Sequence, residues 1–319
     1  MTGSMAMMVF LLISKYTLLY AVVLMLVALG GMFSERSGVI NIALEGIMVI
    51  GGLVGVIVSA SLMNHVNPYI SMILSILASA LSGLIYSSLL AFASINLRAN
   101  QTIGGTALNI LATAIAMVVA KRFNGSQSAK IDYNNSAYLI NIKTSEGTLT
   151  INVFLILGIV LLILSYVVLY KTRLGLRLRA CGEHPQAADS VGINVHKMRY
   201  IGVLVSGLLG GIGGFAYIIP AVSNWNFEYG VTGMGFLALA VMIFGQWKPF
   251  RIFFAAVLFS IFKSIANIYD SIDFLKDLGL NKEMYNMLPF IVSMIVLTLT
   301  SKKSRAPKAE GIPYDKGMR

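Results

Sequence analysis

Long apolar runs follow one another along the chain, separated by short polar segments. Most of them reach the about 17–25 residues that an α-helix needs to cross the hydrocarbon core of a bilayer. The sequence is 57% hydrophobic and only 12% charged, whereas a soluble domain carries about 25% charged residues. We therefore predict an all-α polytopic membrane protein with nine transmembrane helices, at residues 13–33, 40–61, 69–93, 103–120, 149–170, 200–220, 232–247, 252–268 and 286–301.

The basic residues predict how these spans are oriented. Most of the 24 Lys and Arg residues fall in one set of alternate loops and in the C-terminal tail, and such loops face the cytoplasm. This places the loop 171–199 and a basic tail, residues 302–319, in the cytoplasm, and the N-terminus of the transmembrane domain 1–301 outside. The net charge of +11 is then a topology signal facing anionic lipid, and we expect no binding of nucleic acid. The composition of the tail is typical of a disordered segment.

Several functions are disfavoured by what the sequence lacks. No G-x-x-x-x-G-K-[ST] motif for a phosphate-binding loop occurs. The glycine-rich run Gly207–Phe215 lies inside a predicted span, where small residues let helices pack closely. Cys181 is the only cysteine, the three histidines have no partner at ligand spacing, and no catalytic constellation stands out. We therefore expect neither a metal site nor an enzyme. Residues 121–148 form the largest external loop and are expected to include a short hairpin.

A polar segment interrupts the apolar runs at residues 178–199, "LRACGEHPQAADSVGINVHKMR". Pro185 suits the first position of a helix, and Gly192 suits the position just after its end. The predicted helix has about seven residues and a length of roughly 10 Å, which is too short to be stable alone in water. It must dock on a surface, and composition alone leaves a plain membrane-surface loop and a partner-binding element equally open.

Three segments carry a resemblance to a known family. "GEHPQAADSVGINV" resembles the cytoplasmic coupling loop of ABC importer permeases, with matches at Gly182, Glu183, Pro185, Ala187, Ala188, Gly192 and Ile193. "SERSGVINIALEGIM" and "GVTGMGFLALAVMIFGQWKP" resemble permeases of the ribose, branched-chain amino acid and nucleoside superfamily. The second of these is similar to the shorter permease of nucleoside (guanosine-type) ABC transporters, and the similarity extends over essentially the whole chain.

The resemblance implies a fold, partners and a cargo. The fold is that of an ABC type II-like importer permease, normally of ten spans, here lacking the first helix. The partners are a second, related permease chain in a heterodimer, a cytoplasmic ABC ATPase that binds ATP–Mg, and an extracellular substrate-binding lipoprotein in a bacterial plasma membrane. This chain needs no cofactor. Residues Gly182, Glu183, Pro185, Ala187, Ala188 and Gly192 are implied to engage the ATPase. Nucleosides are the implied cargo; riboflavin, a simple sugar, a branched-chain amino acid, or ion-coupled secondary transport are the alternatives.

Polar residues within the spans indicate a candidate translocation path. Ionisable groups in a span are costly and suggest a function, so Glu45 and Asn41, which share a helix face at i,i+4, line the path or hold a broken helix start. A stripe in span 4 offers hydroxyls and an amide to a nucleoside or, alternatively, to neighbouring helices. Its members are Thr102, Thr106, Asn109 and Thr113.

Two further features are secondary candidates. Lys263 lies near the outer end of span 8, where it can snorkel to the surface or pair with Glu45. In "SNWNFEYG", Trp225, Phe227 and Tyr229 alternate. We favour an interfacial aromatic belt for these rings over stacking on a base or contact with a docked binding protein.

Overall fold

In this computed structural model, the described residues form twelve α-helices, four short strands and a few short 3-10 or π turns. Six helices contain most of the apolar residues of the first half and the centre: α1 (Gly3–Arg36), α2 (Leu44–Leu62), α3 (Pro68–Ala91), α4 (Gln101–Asn124), α5 (Val153–Lys171) and α8 (Val195–Ile218). The structure describes residues 3–63, 65–125, 128–144, 147–279, 281–300 and 306–316.

The remaining helices are shorter or lie toward the C-terminus. Two of them, α6 (Arg173–Glu183) and α7 (Pro185–Ser190), lie within the predicted loop 171–199. The others are α9 (Met234–Phe244), α10 (Pro249–Ile268), α11 (Asp273–Asp277) and α12 (Lys282–Thr300).

Asparagine side chains begin several of the long helices. The side chain of Asn67 accepts a hydrogen bond from the Tyr69 amide, and that of Asn100 accepts bonds from the amides of Thr102 and Ile103. Asn152 and Asn194 cap α5 and α8 in the same way. A cap satisfies amides that the first helical turn leaves without an intrahelical partner. These caps fix where each helix starts.

Helix α8 lies at the centre of the fold, packed against α1, α2 and α3. Its glycines permit this packing: a methyl group on Gly51 would lie 2.3 Å from the Cα of Gly211, and one on Gly83 would lie 2.3 Å from the carbonyl oxygen of Gly207. The helix backbones therefore touch directly. The predicted packing role of the glycine-rich run is confirmed, because small residues are what bring membrane helices this close.

Seven helices within the described residues are long and apolar enough to cross a membrane, namely α1, α2, α3 with the turn that follows it, α4, α5, α8 and α10. The predicted run 232–247 contains only the 11-residue helix α9, which is about 16 Å long and so reaches halfway through a bilayer. The predicted span 40–61 starts too early, since residues 40–43 are not helical. The predicted span 149–170 also starts too early, because residues 149–152 belong to a strand and Asn152 caps α5.

The segments after α4 and α8 contain short strands. Strands β2 (Leu139–Thr144) and β3 (Gly147–Asn152) form the expected hairpin. Strand β1 (Lys130–Asp132) pairs instead with β4 (Asn224–Asn226), which lies almost a hundred residues further along the chain. This second pairing ties the loop after α4 to the loop after α8.

Part of the tail that the sequence predicts to be disordered is packed against the rest of the chain. We call residues 306–316 the C-terminal strap. The Ala309 amide donates to the Gly182 carbonyl over 2.9 Å, and the Gly311 amide donates to the Gly38 carbonyl over 3.3 Å. Tyr314 is 6% exposed. Composition did not reveal this packing, since the strap is polar overall and only a few of its residues are buried. Residues 301–305 and 317–319 lie outside the described residues.

Candidate functional site

The short helix expected in the polar segment is present as α7, with Pro185 at its first turn. Gly192 follows the helix with a φ of +82°, a left-handed conformation that glycine adopts without a steric penalty. No atom lies within 4 Å of where a side chain on Gly192 would begin. Both residues therefore occupy the positions that their chemistry predicts.

The start of the polar segment is packed on the end of α1. A methyl group on Gly182 would lie 2.3 Å from the Arg36 carbonyl oxygen, so only glycine fits between α6 and this backbone. Glu183 forms an ion pair of 3.6 Å with Arg36. The Arg36 guanidinium also donates to the Trp247 carbonyl over 3.2 Å. Contacts therefore lead from the polar segment, through the end of α1, to the corner between α9 and α10.

The two alanines of α7 face opposite ways, which corrects the prediction that both allow a partner to approach. Ala188 is 3% exposed and packs with Cys181, Val195 and Tyr314. Ala187 is exposed. Of these two alanines, only Ala187 can touch a partner, and the buried Ala188 holds α7 on the permease. Helical periodicity puts adjacent residues about 100° apart, but it does not say which of them faces inward.

Cys181 lies under this segment and is fully buried. Burial raises the pKa of its thiol to about 11, because an anionic sulfur would lose its hydration. The thiol is therefore protonated and unreactive at neutral pH.

Two interruptions of the helices form the second part of the site. The first break, residues 37–43, lies between α1 and α2, and the second break, residues 219–233, lies between α8 and α9. Backbone groups exposed by a broken helix need other partners in a membrane protein.

Neutral side chains satisfy the first break. Asn109 accepts from the Gly46 amide over 2.7 Å and donates to the Ile42 carbonyl over 2.9 Å. Gln101 accepts from the Ile40 amide over 2.7 Å. Asn41 donates to the Ser206 hydroxyl over 2.8 Å, while its buried side-chain oxygen has no hydrogen-bond partner among the described residues.

A carboxylate satisfies the second break. Glu45 accepts from the Gly233 amide over 2.8 Å and from the Gly235 amide over 2.6 Å. These amides lie at the start of α9, where the helix dipole also favours negative charge. Glu45 is in the first turn of α2, so it links the two breaks. Of the two roles that the sequence leaves open, the structure shows the backbone-binding one.

The polar stripe of span 4 is divided. Asn109 is buried against the first break, whereas Thr102 and Thr106 are exposed and Thr113 is half-buried. The hydroxyl of Thr106 donates to Thr102, and that of Thr113 donates to Asn109, in each case to a carbonyl of the same helix. Within this chain, both threonine hydroxyls thus donate inside α4 and not to another helix.

The secondary candidates also separate. Lys263 donates to the Asn286 side chain over 2.9 Å, and both Glu45 oxygens accept backbone amides, so the geometry does not favour a Glu45–Lys263 pair. Phe227 is completely buried, and Trp225 donates to the Gly230 carbonyl over 3.2 Å. Only Tyr229, 72% exposed, has the exposure of a belt residue.

Sequence reasoning missed residues that complete both parts of the site. Glu35 is buried and accepts a 2.6 Å hydrogen bond from the Trp247 indole, and Gln101 and Ser206 support the first break. A signal existed for Glu35, since an acidic residue next to Arg36 at the end of an apolar run is unusual. The described residues contain no group of three or more His, Cys, Asp or Glu side chains suited to a metal ion.

The fold and its apolar helices define a multi-pass plasma membrane protein whose helices are interrupted inside the bundle. The profile of the family described as "branched-chain amino acid transport system / permease component" matches residues 13–297. The chain belongs to this family and is the permease component of an ABC transporter, which confirms the resemblance inferred from its motifs.

Several relatives match nearly the full length, two of them with about 40% identity. The chain is 40% identical over 308 residues to the nucleoside ABC transporter permease protein NupC of Lactococcus lactis, covering 94% of this chain and 95% of NupC. It is 39% identical over 317 residues to the guanosine ABC transporter permease protein NupQ of Bacillus subtilis, covering 95% and 96%. The nucleoside ABC transporter permease protein NupB of L. lactis is 30% identical over 142 residues, 44% of this chain and 39% of NupB. No solved structure matches the chain.

Proposed function

We propose that this chain is a permease subunit of an ATP-driven importer for nucleosides, and that a separate ATPase subunit drives it by alternating access. The cargo rests on the names of NupC and NupQ, which are similar over nearly the whole chain. ATP–Mg is bound by the ATPase, so this chain carries no nucleotide site and requires no cofactor.

The proposed complex has three other components. A second, related permease completes a heterodimer, and its support is that L. lactis has both NupC and the partly similar NupB. A cytoplasmic ABC ATPase supplies the energy, and an extracellular lipoprotein delivers the substrate. These partners follow from the ABC permease family.

The proposed topology has nine membrane crossings, the N-terminus outside and the C-terminus in the cytoplasm. The seven long apolar helices are completed by α9, as a half-length segment, and by α12. The distribution of Lys and Arg supports the orientation, and it places α6, α7 and the C-terminal strap together on the cytoplasmic side.

One observation carries the proposed mechanism: the coupling segment rests directly on the backbone at the end of α1. Gly182 leaves no space above Arg36, and Glu183 is paired with the Arg36 guanidinium. A displacement of α7 by the ATPase is therefore transmitted to the first break and, through the Trp247 carbonyl, to the corner that follows α9.

We propose that the translocation path is formed by Asn41, Glu45, Thr106, Asn109 and Thr113. Thr106 lies on a face of α4 that this chain leaves exposed, so the second permease would close a cavity against it. Asn41, Glu45 and Asn109 hold the breaks beside that face. A nucleoside offers ribose hydroxyls and base-edge groups that neutral amides and hydroxyls can bond.

Transport by the reconstituted complex tests the proposal. Labelled guanosine should accumulate only with ATP, and unlabelled leucine, glucose or riboflavin in excess should not compete. Competition by one of these would reassign the cargo within the ABC class. Uptake that persists without the ATPase but collapses with an uncoupler would instead indicate ion-coupled transport.

The coupling role is tested by Ala187→Trp. Because Ala187 is exposed, an indole there should block the ATPase without disturbing the permease. We expect loss of both ATPase retention and uptake, with normal membrane insertion. The matched control is Leu278→Trp after α11, where the side chain is also exposed. Normal uptake by Ala187→Trp would reject α7 as the coupling element.

A further inference from the structure

The C-terminal strap joins four separate parts of the chain. It bonds to Gly182 at the end of α6 and to Gly38 in the first break. Its Asp315 forms a two-pronged ion pair with Arg98 after α3, at 2.9 and 3.3 Å. The ring of Tyr314 packs edge-on against His196 at the start of α8, with 5.6 Å between centroids.

The strap also completes a small core under the coupling helix. Tyr314 packs with Cys181, Ala188, Val195 and Met198, all of them buried. Removing the strap would expose the inner face of α7, and a six-residue helix has little stability of its own. The position of α7 on the permease therefore depends on the strap.

An open cleft of about 360 Å³ lies between α7 and the strap. Asp189 and Gly192 line one wall, Tyr314 and Lys316 line the other, and His196 contributes between them. The cleft therefore begins at the end of α7 that would touch the ATPase and continues onto the strap.

Exposed apolar side chains lie beside both walls. Val191, next to Gly192, is 75% exposed, and Ile312, two residues before Tyr314, is 57% exposed. Both are outside the seven membrane-spanning helices. Exposed apolar residues on a polar surface indicate an interaction site. The charges around them have both signs, Asp189 and Asp315 as well as Lys316 and Arg98, which suits a protein partner better than an anionic lipid surface.

We propose that the C-terminal strap and α7 together form the docking surface for the cytoplasmic ATPase, which inserts a segment into the cleft between them. This inference rests on the proposed function, because it extends the coupling surface from α7 to residues 306–316. The strap contributes Ile312 and one wall of the cleft, and it fixes α7 from below.

The outer surface is tested by Ile312→Asp. The side chain is exposed, so the strap should stay docked while the apolar contact is lost. We expect the ATPase to dissociate about tenfold more readily from the affinity-tagged permease complex, as for a residue at the centre of an interface. The matched control is Leu278→Asp after α11, an exposed apolar residue outside both parts of the site, which should change nothing.

The docking of the strap is tested by Gly311→Val, read out at Cys181. Gly311 has a φ of +76°, and a side chain there would begin 2.7 Å from the Ile40 side chain. Valine should therefore lift the strap and uncover Cys181. We expect maleimide to label Cys181 about tenfold faster in this variant, and the ATPase to bind more weakly. Ile312→Asp should leave the labelling rate unchanged.

The outcomes separate the two proposals. If Ala187→Trp releases the ATPase but Ile312→Asp and Gly311→Val do not, α7 alone is the docking surface and this inference is overturned. If none of the three variants affects the ATPase, the coupling role of α7 fails as well. If Ile312→Asp leaves ATPase binding unchanged, and anionic lipid in nanodiscs slows maleimide labelling of Cys181 in the native protein but not in this variant, the strap belongs to the lipid surface and the inference is also overturned.

Discussion

The two breaks in the helices solve the same problem with different chemistry. At the first break, side-chain amides and hydroxyls satisfy the exposed backbone, with Asn109 making two bonds. At the second break, one carboxylate, Glu45, accepts two amides. Several neutral residues share the bonds at the first break, whereas the two amides at the end of the second break, where α9 starts, depend on one carboxylate. The second break should therefore be the more sensitive of the two to a single substitution.

Glu45 also makes the two breaks dependent on each other. Its backbone starts α2 after the first break, and its side chain holds the start of α9 after the second. A movement of either break must therefore move the other or rupture these bonds. Such a linkage suits a transporter whose two halves open alternately, since half-length helices with bound termini are typical of transport sites.

The largest effect is expected from Glu45→Ala. It leaves the amides of Gly233 and Gly235 without an acceptor inside the membrane bundle, at about 1–3 kcal/mol for each. We expect a lower unfolding temperature of the detergent-purified complex and no measurable uptake.

Glu45→Gln serves as the matched control for that substitution. It keeps one oxygen of similar position, so it should retain more stability than Glu45→Ala. Equal stability of both variants and the native protein would show that the cap of α9 contributes nothing.

A smaller effect is expected from Asn109→Leu, because Gln101 and Asn41 continue to support the first break. The Gly46 amide and the Ile42 carbonyl lose their partner, so we expect a destabilisation of about 2–4 kcal/mol and impaired uptake with the complex still assembled. Unfolding in detergent and guanosine uptake measure the two effects.

Thr106→Val tests whether the destabilisation by Asn109→Leu is specific to the bonds at the first break. The Thr106 hydroxyl bonds only within α4, so this variant should be as stable as the native protein. A loss of uptake at normal stability would instead assign Thr106 to the translocation path. If Asn109→Leu lowers the stability no more than Thr106→Val does, the bonds of Asn109 do not hold the first break.

The sequence predicts those features of the fold that depend only on residues close to one another along the chain. Apolar length identified the spans, and Pro185 and Gly192 identified α7, since a helix cap needs only local chemistry. The partners of Glu45 could not be predicted in the same way, because the Gly233 amide lies 188 residues further along the chain. The inward face of Ala188 was equally hidden, since it is set by Tyr314 on the strap.

The composition of the tail misled for a related reason. Seven of the eleven strap residues are charged, proline or glycine, a composition typical of disordered segments, but disorder follows only where a segment finds no surface. Here the Gly182 and Gly38 carbonyls accept its amides, and neither position signals this in the sequence. Motif resemblance was informative for the family, which the comparisons confirm, because it carries the long-range arrangement that local reasoning lacks.

The smallest predicted effect concerns the edge of the first break, which the Glu310 carboxyl of the strap approaches. The carboxyl of Glu310 on the strap faces that of Glu35, with Arg36 nearby. Burial raises the pKa of Glu310 above its ordinary value of 4.5. A docked strap thus holds a proton that a released strap gives up, so docking is strongest below about pH 4.5 and weakens as pH rises through the raised pKa.

Glu310→Gln removes this titration while keeping a side-chain oxygen that can accept a hydrogen bond from Glu35. We compare maleimide labelling of Cys181 in the native protein and the variant at each pH, because the ratio cancels the intrinsic ionisation of the thiol. The ratio should lie near one in acid and rise a few-fold as the pH increases above the ordinary carboxyl pKa of 4.5. A labelling ratio that does not change with pH would mean that the strap docks without taking up a proton. The edge of the first break would then be held by neutral groups only, like the rest of it.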